Sequence, residues 1–319
     1  MLCSRNLGGL IGVLVALLTP LAASAQTAPV PVMPERTFSV VVTGSGPDVV
    51  LIPGLAGGGA VWDNTVARLQ ADYTLHVVTL AGFGGEAPVA MSTQDGFLDA
   101  VRDDLAAYVR GLGTPASVVG HSLGGFTAMR VGLAAPEAVS HVVVVDALPF
   151  LASMQDPSAT EETAATSGAG MKRMMALSSP EQFRLQQQMA LQGMMMSADS
   201  AAAYTDLHAA SDPATVAQGF YDMWTTDLRD DLAQMTVPTL VLAAGAGYGT
   251  TPEATRTMYE GAYADLAGVQ IIAVPEARHF IQIDQPDALA AHLRTFLAPE
   301  ASGDGASDAN ASGARGGTR

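Results

Sequence analysis

Gly120-His121-Ser122-Leu123-Gly124 is a G-x-S-x-G pentapeptide, entered from the apolar run Ala116-Ser117-Val118-Val119 and left through Gly125-Phe126-Thr127-Ala128-Met129-Arg130, which opens a helix. The pentapeptide alone says little, since roughly 0.2 matches arise by chance in a chain of this length and glycine content. Its flanks supply the meaning. A buried strand that turns directly into a helix holds the residue at the turn with its hydroxyl exposed and the helix N-terminus pointing at it. Side chains on either side would collide across so tight a turn, so both neighbours must be glycine. Ser122 is therefore the candidate nucleophile.

Outward from this turn the chain alternates. Thr37–Val42 reads as a strand, Val49–Ile52 as a continuous apolar run of the buried parallel kind, Val61–Leu69 as a helix and Leu75–Leu80 as a strand. Asp95–Gly111 has helical spacing, with Phe97, Val101, Leu105 and Val109 on one face, and Val142–Asp146 is the strand after the Ser122 helix. Such alternation predicts an α/β fold with a mostly parallel central sheet and helices on both faces. It breaks between Leu148 and Met235, a helical stretch that holds ten of the fifteen methionines. It resumes with strand Pro238–Leu242, helix Pro252–Leu266, strand Val269–Val274 and helix Pro286–Leu297. The predicted organisation is a core of residues 37–147 and 236–298 with a helical cap, 148–235, inserted between its halves.

The ends read differently. Arg5, the apolar run Leu7–Leu18 and the small-residue site Ala23-Ser24-Ala25 predict a signal peptide over residues 1–25, with Gln26 the first mature residue. The run is short for a membrane span, and no second one is long enough, so no stable membrane insertion is expected after cleavage. Cys3, the one cysteine, would leave with the signal, so packing alone must hold the exported protein together. Residues 26–36 read as a linker, and 299–319, rich in Gly, Ser and Asp, as a disordered tail. Hydrophobic residues make up 49% of the 319 and charged residues 14%, enough for a globule. The net charge of -16 argues against nucleic acid and anionic membranes as partners. No C-x-x-C, H-E-x-x-H or phosphate loop is present, and Gly44-Ser45-Gly46 lacks the rest of a dinucleotide fingerprint, so neither metal nor cofactor is expected. The oligomeric state is not legible.

A serine hydroxyl needs a base, a group to orient that base, and donors for the oxyanion. Of the six histidines, His76 lies within an apolar strand, His121 adjoins the serine with its side chain directed elsewhere, His141 begins a strand, His208 is in the insert and His292 is on the last helix. His279 follows the final strand, in a loop at the carboxyl edge of the sheet where Ser122 also sits, and is the candidate base.

Gly120-His121-Ser122-Leu123-Gly124-Gly125, the strand before Pro53-Gly54, the loop Ala81-Gly82-Phe83-Gly84, and Arg278-His279-Phe280 with Asp284-Gln285-Pro286 together resemble the α/β-hydrolase superfamily, from about Thr37 to Leu297. The resemblance implies the α/β-hydrolase fold and the order nucleophile, acid, histidine. Most members carry the acid after the strand matching Pro238–Leu242, but here that loop, Ala243–Thr251, has no carboxylate. Asp146, at the end of the strand after the nucleophile helix, is the better candidate, a position similar to that in many haloalkane dehalogenases. Glu253, in the first turn of the next helix, is the alternative. A bland role for Asp146, capping the first helix of the insert, stays open.

One oxyanion donor is expected from the Leu123 N–H, the residue after the nucleophile. The other is expected from Leu55 by position, with Ala56 the fallback. Members usually have His-Gly where this chain has Pro53-Gly54. Met171, Met174, Met175, Met189 and Met194–Met196 suit either an adaptable lid over an apolar acyl pocket or ordinary helix packing. Phe83, Phe150, Tyr221 and Trp224 are candidate wall residues, and Arg278 is the one cation beside the catalytic loops. The expected function is that of an exported serine hydrolase, a carboxylesterase acting through an acyl-enzyme on a small to medium apolar ester. Amidase or peptidase, lactonase, carbon–carbon bond hydrolase and perhydrolase chemistry would use the same triad. A non-catalytic binding protein is the rival from another class.

Overall fold

The computed structural model describes residues 36–247, 249 and 251–298. The expected signal peptide, the linker up to residue 35 and the tail from 299 lie outside the described residues.

Seven strands form one sheet: β1 (Phe38–Gly44), β2 (Asp48–Ile52), β3 (Thr74–Leu80), β4 (Ala116–His121), β5 (Val139–Val145), β6 (Thr239–Ala244) and β7 (Gln270–Val274). Their spatial order is β1-β3-β2-β4-β5-β6-β7. Only β1 runs antiparallel, against β3; every other pair is parallel. Helices α1 (Asp63–Leu69), α2 (Phe97–Gly111) and α3 (Leu123–Ala134) follow β2, β3 and β4, as crossovers between parallel strands require. Alternation along the central strands sorts their side chains onto two faces. Val50, Ile52, Val118, Val142 and Val144 pack with the apolar sides of α2 and α3, while Val49, Leu51, Val119, Val143 and Val145 pack with Trp62 and Leu69 near α1 and with the last helix.

Between β5 and β6 lie four helices, α4 (Glu161–Ala176), α5 (Pro180–Met194), α6 (Ala198–Ala209) and α7 (Pro213–Thr225). Their starts are written locally. Thr160 with Thr163 and Ser179 with Gln182 form reciprocal capping boxes, and Pro180 and Pro213 stand in the first turns of α5 and α7. After β6 come α8 (Pro252–Ala262), α9 (Ile281–Asp284) and α10 (Pro286–Leu297). Among the described residues no helix is long and apolar enough to cross a membrane.

Element boundaries differ from the sequence reading by a few residues, each for a local reason. The helix expected from Val61 opens as a 3-10 turn, Gly59–Trp62, before α1. The helix expected from Asp95 begins at Phe97, because Gly96 takes φ 82° and turns the chain into it. The helix expected to reach Leu266 stops at Ala262, and Gly268 at φ 73° then redirects the chain to β7.

Candidate active site

Among the described residues, four that are not glycine have left-handed backbone: Ala56 (φ 57°), Ser122 (φ 53°), Asp146 (φ 51°) and Glu276 (φ 54°). They follow the carboxyl ends of β2, β4, β5 and β7, so the strain is gathered at one edge of the sheet. The sheet also holds it in place. Ser122 N–H donates to Val145 O at 2.9 Å, and Asp146 N–H to Leu242 O at 2.8 Å, each extending the parallel ladder one step past its strand.

The turn at Ser122 admits no bulk beside it. A β-carbon on Gly120 would lie 2.0 Å from Gly124 O, and one on Gly124 would lie 2.3 Å from Ile52 O. Both obstacles are backbone, and neither can yield without parting α3 from the sheet. Gly124→Ala should therefore cost at least about 3 kcal/mol of stability, since the clash exceeds ordinary overpacking. Thermal melts of the purified variant check this; a melting temperature within a few degrees of the parent would refute it.

His279 and Asp146 meet. His279 Nδ1 lies 2.6 Å from Asp146 Oδ2, and the carboxylate is fully buried. The other carboxylate oxygen, Oδ1, accepts from Ala244 N–H at 2.8 Å and from Tyr259 O–H at 2.8 Å. Glu253 is exposed in the first turn of α8, so Asp146 is the carboxylate that reaches the imidazole. Ser122 and the His279 ring line the same cavity without a hydrogen bond between them. Such bonds commonly tighten only when substrate is bound. The Leu123 N–H stands at the N-terminus of α3. Leu55 lies in a tight turn closed by Gly57 N–H to Gly54 O at 3.0 Å, and Leu55 with Gly54 lines the cavity. Ala56, the fallback donor, is the buried second residue of the same turn, and its carbonyl accepts from the Ser211 hydroxyl.

Sequence reading missed several participants. Tyr259 and the Ala244 N–H hold Asp146 but carry no sequence motif; the one signal for Tyr259 is its spacing of four from Thr255, which puts both on the buried face of α8. His121 does turn away from Ser122, yet its Nε2–H donates to His279 O at 2.9 Å and its ring lies 4.6 Å from the His279 ring. His208, on α6, forms part of the cavity wall. Its ring meets Phe280 edge-on at 5.8 Å. Burial, then the neighbouring His279, holds His121 well below the ordinary histidine range and pushes His208 down to about 4. Of these three imidazoles, His279 alone is bonded to a carboxylate.

A depressed histidine pKa favours the folded state only while the unfolded chain is also neutral. The stabilisation from His208 is thus complete above pH 6.5 and lost as pH falls towards about 4. At pH 5 the loss is on the order of 2 kcal/mol for this one residue. His208→Leu should accordingly show a smaller drop in melting temperature between pH 7 and pH 5 than the parent. Equal drops would disprove the assignment.

The cavity over Ser122 measures about 900 Å³. Its apolar wall comes from Leu148, Met154, Met174, Met175, Met194 and Met223, with Phe220 and Phe280 the phenylalanines. The four aromatic residues expected there are elsewhere. Phe83 packs edge-on with Phe97, Phe150 and Trp224 are buried in a small cluster beside α4, and Tyr221 carries the Lys172 ammonium on its face. Arg278 does line the cavity, but it grips the cap: its Nη1 donates to Met195 O at 3.0 Å and reaches Gln192 O at 3.4 Å. Asp284 completes the link by accepting from Met196 N–H at 3.0 Å and Arg278 N–H at 2.9 Å. The loop that carries His279 is thereby tied to the end of α5.

Residues 49–292 match the family described as the alpha/beta hydrolase family. A pimeloyl-[acyl-carrier protein] methyl ester esterase of Nitrosomonas europaea is 31% identical over 213 residues, covering 65% of this chain and 79% of that one. The protein of that name from Aliivibrio salmonicida is 25% identical over 269 residues, 81% of this chain and 94% of its own. Among solved structures, a thermophilic esterase from Thermogutta terrifontis superposes with a TM-score of 0.68 at 20% identity, covering 82% of this chain and 92% of that one. An enol-lactonase from Burkholderia xenovorans does so with a TM-score of 0.65 at 19% identity, covering 82% and 96%. At these identities the structural likeness speaks for the fold alone.

Proposed function

We propose that this chain, which belongs to the alpha/beta hydrolase family, is an exported serine esterase that cleaves carboxylic esters with an apolar acyl group through an acyl-enzyme. The observation that carries the reading is the pairing of His279 with the buried Asp146 in the cavity that holds Ser122 on its strained turn. Ser122 Oγ attacks the acyl carbon while His279 Nε2 takes its proton. Asp146 keeps the imidazole proton on Nδ1 and stabilises the imidazolium that forms. The N–H groups of Leu123 and Leu55 receive the oxyanion, at about 3 kcal/mol of transition-state stabilisation per donor in comparable sites. The protonated His279 then releases the alcohol, and a water activated by the same ring frees the acid and regenerates the serine.

Ester chemistry is supported by the names of the relatives, both methyl ester esterases, and by a cavity whose large apolar side chains are mostly methionine and leucine. Export is supported by the order of Arg5, the apolar run Leu7–Leu18 and Ala23-Ser24-Ala25. A fluorophosphonate probe tests the nucleophile: labelling at Ser122 is expected, and an unlabelled folded protein would count against any acyl-enzyme. Chromogenic esters assayed beside amides and lactones test the substrate class, with esters expected to turn over fastest. N-terminal sequencing of the exported protein, with Gln26 first, tests the leader.

A further inference from the structure

The cap is built as two helix pairs. α4 packs along α7 and α5 along α6, whereas α4 and α5, consecutive in the chain, scarcely touch. The seam between them is open on both sides. On its inner side Met174, Met175 and Gln186 line the cavity over Ser122. On its outer side a groove of about 280 Å³ is lined by Met174, Leu177, Leu185, Gln186 and Met189, together with Ser178 and Gln182. Met174 and Gln186 belong to both walls, so groove and cavity adjoin.

The groove's composition is unusual for a surface. Leu177 is 73% exposed, Met189 64%, Met174 63% and Leu185 56%, and no charged side chain lines it. On α5 the positions 182, 185, 186 and 189 follow one helical stripe, while Glu181 and Arg184 fall outside it. Four large apolar side chains gathered in the open need an occupant. Three features favour a hydrocarbon chain over a protein or a lipid surface. The groove adjoins the catalytic cavity, with Met174 and Gln186 common to both walls. Its apolar walls are methionine and leucine, and the unbranched methionines adapt to a flexible chain. A net charge of -16 on every copy works against self-association here and against anionic membranes.

We infer that the seam between α4 and α5 lets the distal end of a long acyl chain leave the cavity, and that the outer groove holds it. The substrate class is then a long-chain acyl ester. This rests on Ser122 receiving the acyl group, with the chain running from the reacting carbonyl past Met175 and Met174 to Leu185 and Met189.

A homologous series of alkyl methyl ketones, from butyl to pentadecyl, tests the groove by binding alone, since a ketone has no leaving group. Calorimetric titration of the parent should show affinity rising about fourfold per added methylene through the longest members. The double variant Leu185→Asp with Met189→Asp alters two exposed side chains and should fold normally. It should bind short ketones as the parent does and lose tenfold or more on the longest. Parallel series for the two proteins, or a parent series that levels off at short lengths, would overturn the inference. A parent dimer that the double variant dissolves, or parent binding to phosphatidylcholine vesicles that it abolishes, would overturn it in favour of those occupants. Hydrolysis of p-nitrophenyl butyrate by both proteins reports separately on the esterase chemistry. Its absence would sink that reading, while the ketone series still decides whether the groove binds a chain.

Discussion

Ser122→Ala should lower kcat by about a million-fold and leave the fold intact. The size follows from what remains. Without Oγ there is no acyl-enzyme, and His279 has no proton to accept. On the proposed mechanism the Leu123 and Leu55 N–H groups and the cavity should still bind the ester and its oxyanion, leaving a residual rate above that in water. The fold should survive because Ser122 is held by its main chain, through its N–H to Val145 O and its carbonyl to the Phe126 N–H. Active-site labelling, kcat and thermal melts read the three parts. A variant that keeps even a hundredth of parental turnover would mean that another residue carries the acyl group.

Asp146→Asn should cost about ten-thousand-fold in kcat with the protein still folded. The Ala244 N–H and the Tyr259 O–H both point at Oδ1. In the variant an amide oxygen can still accept from both, which turns the amide NH₂ towards His279. An NH₂ facing Nδ1 forces that nitrogen to accept and moves the imidazole proton to Nε2. His279 would then present a proton to Ser122 where it must present a lone pair. The loss is thus in kcat, with KM little changed. Asp146→Ala differs in kind, because it strands two buried donors at about 1–3 kcal/mol each and should also destabilise the protein. Near-normal turnover in the Asn variant would remove Asp146 from the mechanism.

These predictions mark how far the sequence was legible. The Ser122 turn was readable because everything that defines it lies within about ten residues: β-branched strand, paired glycines and helix start. His279 was readable by its place after the last parallel strand, since every carboxyl end of a parallel sheet faces the same edge. The acid was only narrowed. Asp146 and Glu253 sit at the same edge, and what separates them is that Asp146 ends β5 with its carboxylate enclosed by Ala244, Tyr259 and His279, while Glu253 faces solvent on α8. The cavity wall was least legible. All four aromatic residues expected there pack elsewhere, and Phe220 and Phe280 take their place. Phe150, extended in the loop after β5, is fully buried in the cluster beside α4, while Phe220, on α7, packs against that cluster only in part and reaches the cavity, a division set by how distant segments pack.

By itself the sequence determined the α/β alternation, the parallel edge at which the candidate site gathers, the strand-to-helix turn at Ser122 and the position of His279. All of these follow from backbone geometry and burial periodicity acting over one or two elements. The tertiary structure alone decided which carboxylate meets His279, that Tyr259 holds it from 113 residues away, that Arg278 grips the cap, and that the cap parts along a seam between α4 and α5. Those choices depend on which side chains converge once distant segments pack, and no local pattern encodes a distance between segments that meet only in the folded chain.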